Sequence, residues 1–164
     1  MKKTVQLGFF LAVALILSYV ESLIPFSFGI PGIKLGLPNL VIVLLLYRSG
    51  AKDAAVVNFM RILLAGFLFG SLYSILYALA GAVCSFCAML FGKRFQCFSA
   101  VGVSVLGGVF HNIGQIIVAM LVVETYYVGY YMPFLIAAGT VTGAVLGVIV
   151  LELMPYLGED LIPQ

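Results

Sequence analysis

One cation interrupts an apolar run in the middle of the chain: Arg61, in NFMRILLAGFLFG. A charge at that depth of a membrane span costs about 2.5–3.5 kcal/mol on insertion scales, so something must compensate it. No acid is expected at its level. Asp53 falls two turns below it, Glu152 lies at the inner end of the last span, and Glu21 and Glu124 lie toward the outer face. Asn58, one turn away on the same helical face, is its nearest polar neighbour in sequence. Two readings stay open. Arg61 can bond helix carbonyls and amide neighbours and hold a bundle together, or it can anchor an anionic or strongly polar ligand.

A second polar island is His111, Asn112 and Gln115. His111 and Gln115 share one helical face, and Asn112 points about 100° away. Such groups in lipid turn toward other helices or a cavity. They serve either as interhelical hydrogen bonds or, beside Asn58 and Arg61, as the lining of one polar pocket. A lone histidine without an acid nearby is a poor metal site, so no metal or cofactor is expected. The first loop, PFSFGIPGIKLGLPN, carries Lys34 and Asn39 and is rich in Gly and Pro. It is either an ordinary exposed loop or a cover over a cavity, in which case Lys34 and Asn39 reach a ligand. Tyr127, in ETYYVGYYMP, either anchors at the headgroup level or walls the same pocket.

The elements that must hold these residues follow from composition. Of 164 residues, 64% are hydrophobic and 9% charged, against about 25% charged in a soluble domain. The bilayer is the solvent that accommodates such a chain. At about 20 apolar residues per crossing, the length allows six helices and no soluble domain: about 5–24, 38–49, 52–70, 72–91, 98–123 and 132–153. The expected fold is a single all-α membrane bundle with both termini cytoplasmic. Lys2, Lys3, Arg48, Lys52, Lys93 and Arg94 would then face inward and Lys34 alone outward, which satisfies the positive-inside rule.

Small residues recur every fourth position: Gly139, Gly143 and Gly147; Gly66 and Gly70; Gly8 and Ala12; Ala14 and Ser18. Their first reading is close helix packing. Cys84 and Cys87 form a CxxC inside an apolar helix and read as packing residues. A phosphate-binding glycine loop is absent, since GKR at Gly92 lacks the upstream Gly and the following Ser or Thr. Asp53 and Asp160 are the only aspartates, too few for an aspartate-rich magnesium site. These absences argue against an enzyme. Nothing points to nucleic acid.

The stretches LGFFLAVALILSYVESLIP, GIKLGLPNLVIVLLLY and NFMRILLAGFLFG resemble the Gx transporter family, labelled heptaprenyl diphosphate synthase component I. That family resembles the substrate-binding S components of energy-coupling factor (ECF) importers in bacterial cytoplasmic membranes. The resemblance implies capture of a small-molecule substrate from the outer side. It also implies docking on a transmembrane coupling subunit with two ATPase subunits. Ala12, Ala14 and Ser18 would be the docking stripe, with Ser18 standing where alanine is typical. Two other readings remain: a membrane subunit assisting polyprenyl diphosphate or quinone synthesis in contact with membrane lipid, and a structural scaffold.

Overall fold

The computed structural model describes residues 2–23, 36–95 and 98–157. Six α-helices follow one another: α1 (Lys2–Leu23), α2 (Asn39–Arg48), α3 (Ala51–Phe69), α4 (Leu72–Arg94), α5 (Ala100–Val123) and α6 (Met132–Leu153). The tyrosine-rich segment, expected as a loop, is a 3₁₀ helix, Tyr126–Tyr131, running directly into α6. α4 continues past its expected end through Lys93 and Arg94, where two cations complement the C-terminal dipole.

Local sequence sets the breaks. Gly50, at φ +101, separates α2 from α3 in a conformation that side chains rarely adopt. Ser71 opens α4 with a capping box: its Oγ accepts from Ser74 N–H at 3.2 Å, and Ser74 Oγ accepts from Ser71 N–H at 2.8 Å. Ser99 caps α5 through Gly102 N–H.

Four segments are long and apolar enough to cross a membrane: Lys3–Leu23, Leu72–Arg94, Ala100–Val123 and Tyr126–Tyr156. Large apolar side chains such as Phe67 and Leu121, both 71% exposed, stud the outside. Water would penalise that surface and lipid does not, so the helices mark a membrane protein. α3 carries Lys52, Asp53 and Arg61, and α2 has only 10 residues, so neither is among the four.

α2 is the hub. Val41 to Leu46 are all buried, and it packs on α1, α3, α5 and α6. A helix apolar on every face belongs in the centre of a bundle. Its length, about 15 Å, covers about half of a hydrocarbon core about 30 Å thick. Polar contacts gather several helix ends around its C-terminus. Lys3 Nζ lies 3.0 Å from Asp53 Oδ2, Arg48 donates to the Met154 carbonyl, and Lys93 donates to the Leu46 carbonyl while its Nζ sits 4.9 Å from the Tyr47 ring centroid. The start of α1 and α3 and the end of α2, α4 and α6 therefore share one basic end.

α5 lies between α4 and α6, and glycine makes both contacts possible. A Cβ at Gly108 would fall 2.5 Å from the Gly139 carbonyl oxygen, and one at Gly143 would fall 2.7 Å from Val105 Cα. On the other side, a Cβ at Gly114 would meet the Ala80 carbonyl oxygen at 2.7 Å. The glycine ladder of α6 is thus a packing device inside the bundle. Gly8 on α1 differs, because a Cβ there meets nothing within 4 Å.

Candidate functional site

Arg61 lies about 15 Å along α3 from its start, and His111 about 16 Å along α5 from its basic end, the level at which α2 begins. Arg61 Nη2 donates to Asn58 Oδ1 at 2.7 Å, the pair anticipated from their spacing. Nη1 reaches Ser18 Oγ of α1 at 3.5 Å, the outer limit of a hydrogen bond. Ser18 Oγ in turn donates to the Ala14 carbonyl at 2.8 Å. Nε of Arg61 is buried and has no partner among the described residues.

Glu21, near the end of α1 away from the basic end, also reaches this neighbourhood. Its Oε1 accepts from Gly36 N–H, three residues before α2. Its negative charge acts on Arg61 through space, although among the described residues Arg61 makes no ion pair with a carboxylate. A signal for it was present in the sequence. Ala14, Ser18 and Glu21 are spaced four and three apart, so the face that carries Ser18 also carries Glu21.

The second island divides as its helical geometry suggested. Asn112 is buried and donates from Nδ2 to the Leu135 carbonyl of α6 at 2.8 Å. It is a bond between α5 and α6. His111 and Gln115 turn the other way, toward α4: a Cβ at Gly81 would meet His111 Cε1 and Gln115 Cγ, each at 2.9 Å. Gln115 Oε1 is buried without a hydrogen-bond partner among the described residues. Asn112→Ala is expected to lower stability by about 1 kcal/mol through loss of the interhelical bond, read in a thermal scan, and to leave any bound solute in place. Loss of solute at unchanged stability would contradict that assignment.

Asn39 is the first residue of α2, and a Cβ at Gly107 of α5 would meet its Nδ2 at 3.1 Å. The start of α2 therefore touches both sides: Glu21 of α1 through Gly36, and α5 through Asn39. Tyr127 is 76% exposed and stacks on Tyr130 at 6.2 Å between centroids, so it presents its ring outward. Lys34 lies outside the described residues. On α1, Ala14 is 0% and Ser18 8% exposed, both turned into the bundle, whereas Ala12 is exposed with Gly8. Ala14 and Ser18 are consumed by contacts within the bundle, and Ala12 alone of the three faces outward. Cys84 is half-buried and Cys87 exposed, both as free thiols.

No curated protein and no solved structure matches the chain. The family described as heptaprenyl diphosphate synthase component I matches over residues 10–153, a range that takes in α2 to α6 whole and α1 from Phe10 onward. With Arg61, Asn58, Ser18 and the short central helix all inside that match, the chain belongs to the heptaprenyl diphosphate synthase component I family.

Proposed function

We propose that the protein is the solute-capturing membrane subunit of an ECF-type importer in a bacterial cytoplasmic membrane. In this reading all six helices cross or enter the bilayer, both termini are cytoplasmic, and the basic end faces inward. The carrying observation is Arg61: a cation about halfway through the bundle, held by neutral oxygens, with a buried donor left without a partner among the described residues. A purely structural arginine would be expected to have its donors filled. Asn58 and Asn39 are proposed to supply further hydrogen-bonding groups, His111 and Gln115 to reach the solute from α5, and Lys34 to reach it from the first loop. Asn112 and Tyr127 are left to packing and anchoring.

Energy would come from partners, a transmembrane coupling subunit with two ATPase subunits. Docking is assigned to the outer face of α1 around Gly8 and Ala12, where small side chains allow close approach of a second helix. Ala12→Leu is expected to reduce recovery of a coexpressed coupling module at least about tenfold while the subunit itself stays folded. Ala14→Leu, by contrast, would overpack the bundle and lower stability. Full recovery of the module with Ala12→Leu would count against docking on this face.

A second reading, a non-catalytic membrane component of polyprenyl diphosphate chemistry, has one observation in its favour. An apolar groove of about 390 Å³ runs between α4 and α5, lined by Leu76, Leu79, Val83, Gly114, Ile117 and Val118. An isoprenoid chain suits such a lining. Release of a prenyl diphosphate from the purified protein would favour this alternative over import.

A further inference from the structure

We infer that the captured molecule presents an oxyanion, a carboxylate or a phosphate, to the guanidinium of Arg61. The inference rests on the solute-binding reading and names the chemical class that the site selects. A guanidinium carries five N–H donors. One is spent on Asn58 Oδ1 at 2.7 Å and one points to Ser18 Oγ at 3.5 Å. Nε is buried and unpartnered among the described residues.

Both partners are neutral. They satisfy donors without cancelling the charge, and a partly buried cation in contact only with dipoles keeps part of its desolvation cost. Glu21 does not cancel it by contact. Its Oε1 is engaged by the Gly36 backbone, and the carboxylate acts on Arg61 from beyond ion-pair distance. Ser18 and Asn58 are themselves fixed, 8% and 7% exposed, so neither is free to swing over and fill the remaining donors.

An oxyanion meets both deficits together. Charge-assisted bonds to a guanidinium are about twice as strong as neutral ones, and the planar fork matches a carboxylate or phosphate edge. A neutral solute would fill Nε and leave the charge. The start of α2 adds a weak positive potential at the same level. Its first N–H groups are already closed onto the Gly36, Leu37 and Pro38 carbonyls, so the anion is assigned to Arg61 and not to the helix terminus.

The test uses the small number of arginines, Arg48, Arg61 and Arg94. The full chain is labelled with ¹⁵N-arginine in phospholipid-free detergent and the three Nε–H resonances are followed by NMR. Arg61→Gln identifies the Arg61 signal. Should that variant not fold, Arg48→Lys and Arg94→Lys identify the other two and leave Arg61 by elimination. Inorganic phosphate, acetate and glycerol are titrated at constant ionic strength. The expected result is a saturable shift of the Arg61 signal with phosphate or acetate, several-fold larger than at Arg48 or Arg94, and none with glycerol. No saturable shift with either anion, or an equal response to glycerol, overturns the inference. The import reading would survive that failure if the coupling module still copurifies.

A last arm separates a dissolved anion from a lipid headgroup, by comparing nanodiscs of phosphatidylglycerol and phosphatidylcholine. Movement in phosphatidylglycerol alone, with no response to soluble anions, assigns the site to a lipid headgroup and likewise overturns the inference that a captured solute supplies the oxyanion.

Discussion

Arg61→Gln is expected to weaken solute binding by about 100-fold or more while leaving the solute-free protein as stable as the wild type, or slightly more stable. The two halves of that result come from one cause. In the empty protein no carboxylate among the described residues contacts the partly buried guanidinium, and removing a desolvated charge without a contacting partner is commonly neutral or stabilising. Gln retains donors that can serve Asn58 Oδ1, which is buried and now bonded at 2.7 Å. In the occupied protein the same substitution deletes a desolvated charge-assisted contact, a loss of about 2–5 kcal/mol, and each 1.4 kcal/mol is tenfold. The measurement pairs a thermal scan of solute-free protein with retention of solute through gel filtration. A role as bundle glue would give the opposite pattern: a lower melting temperature and unchanged retention.

Gly143→Leu is expected to be the most damaging substitution for the fold, at about 3 kcal/mol or more, and to prevent accumulation of monodisperse protein in detergent. Overpacking costs about 1–3 kcal/mol where side chains can yield. At Gly143 the obstacles are Val105 Cα at 2.7 Å and the Ser104 carbonyl oxygen at 2.8 Å, both backbone, so helices α5 and α6 must separate. Separation would also open the Gly108–Gly139 contact one turn away and strain the bond from Asn112 to Leu135. Gly8→Leu is the matched control, because a Cβ there meets nothing within 4 Å. Size-exclusion profiles and melting temperatures of the two variants should differ clearly. Equal profiles would mean that α5 and α6 do not pack along this ladder.

Much of this architecture can be read from residue types alone. Helix positions follow from apolar runs broken by Pro38, Gly50 and Ser71, and the Gly139–Gly143–Gly147 ladder announces a close helix crossing. The Asn58–Arg61 pair follows from spacing, and the separation of Asn112 from His111 and Gln115 from the helical angle. Which face of α1 looks inward does not follow. In a soluble helix the apolar stripe marks the core, but here lipid and core are both apolar, so Ala12 and Ala14 carry the same signal. The burial of Ala14 and Ser18 depends on the tertiary contact with α3 and α2. Glu21 illustrates a second limit. The face it shares with Ser18 follows from spacing, but the bond that its carboxylate accepts from Gly36 N–H depends on the return of the chain. Likewise, α2 looks too short to span, and its value is central packing, as the complete burial of Val41 to Leu46 demonstrates.

The central claim is that a cation about halfway along this bundle, with no carboxylate in contact among the described residues, takes its counter-charge from a captured solute. It is tested most directly by purifying wild-type protein and Arg61→Gln under mild conditions, denaturing each, and identifying released small molecules by mass spectrometry. The account predicts a single acid-bearing solute, near stoichiometric in the wild type and absent from the variant. Wild-type protein that releases no such molecule, or a variant that retains it in full, would contradict the account.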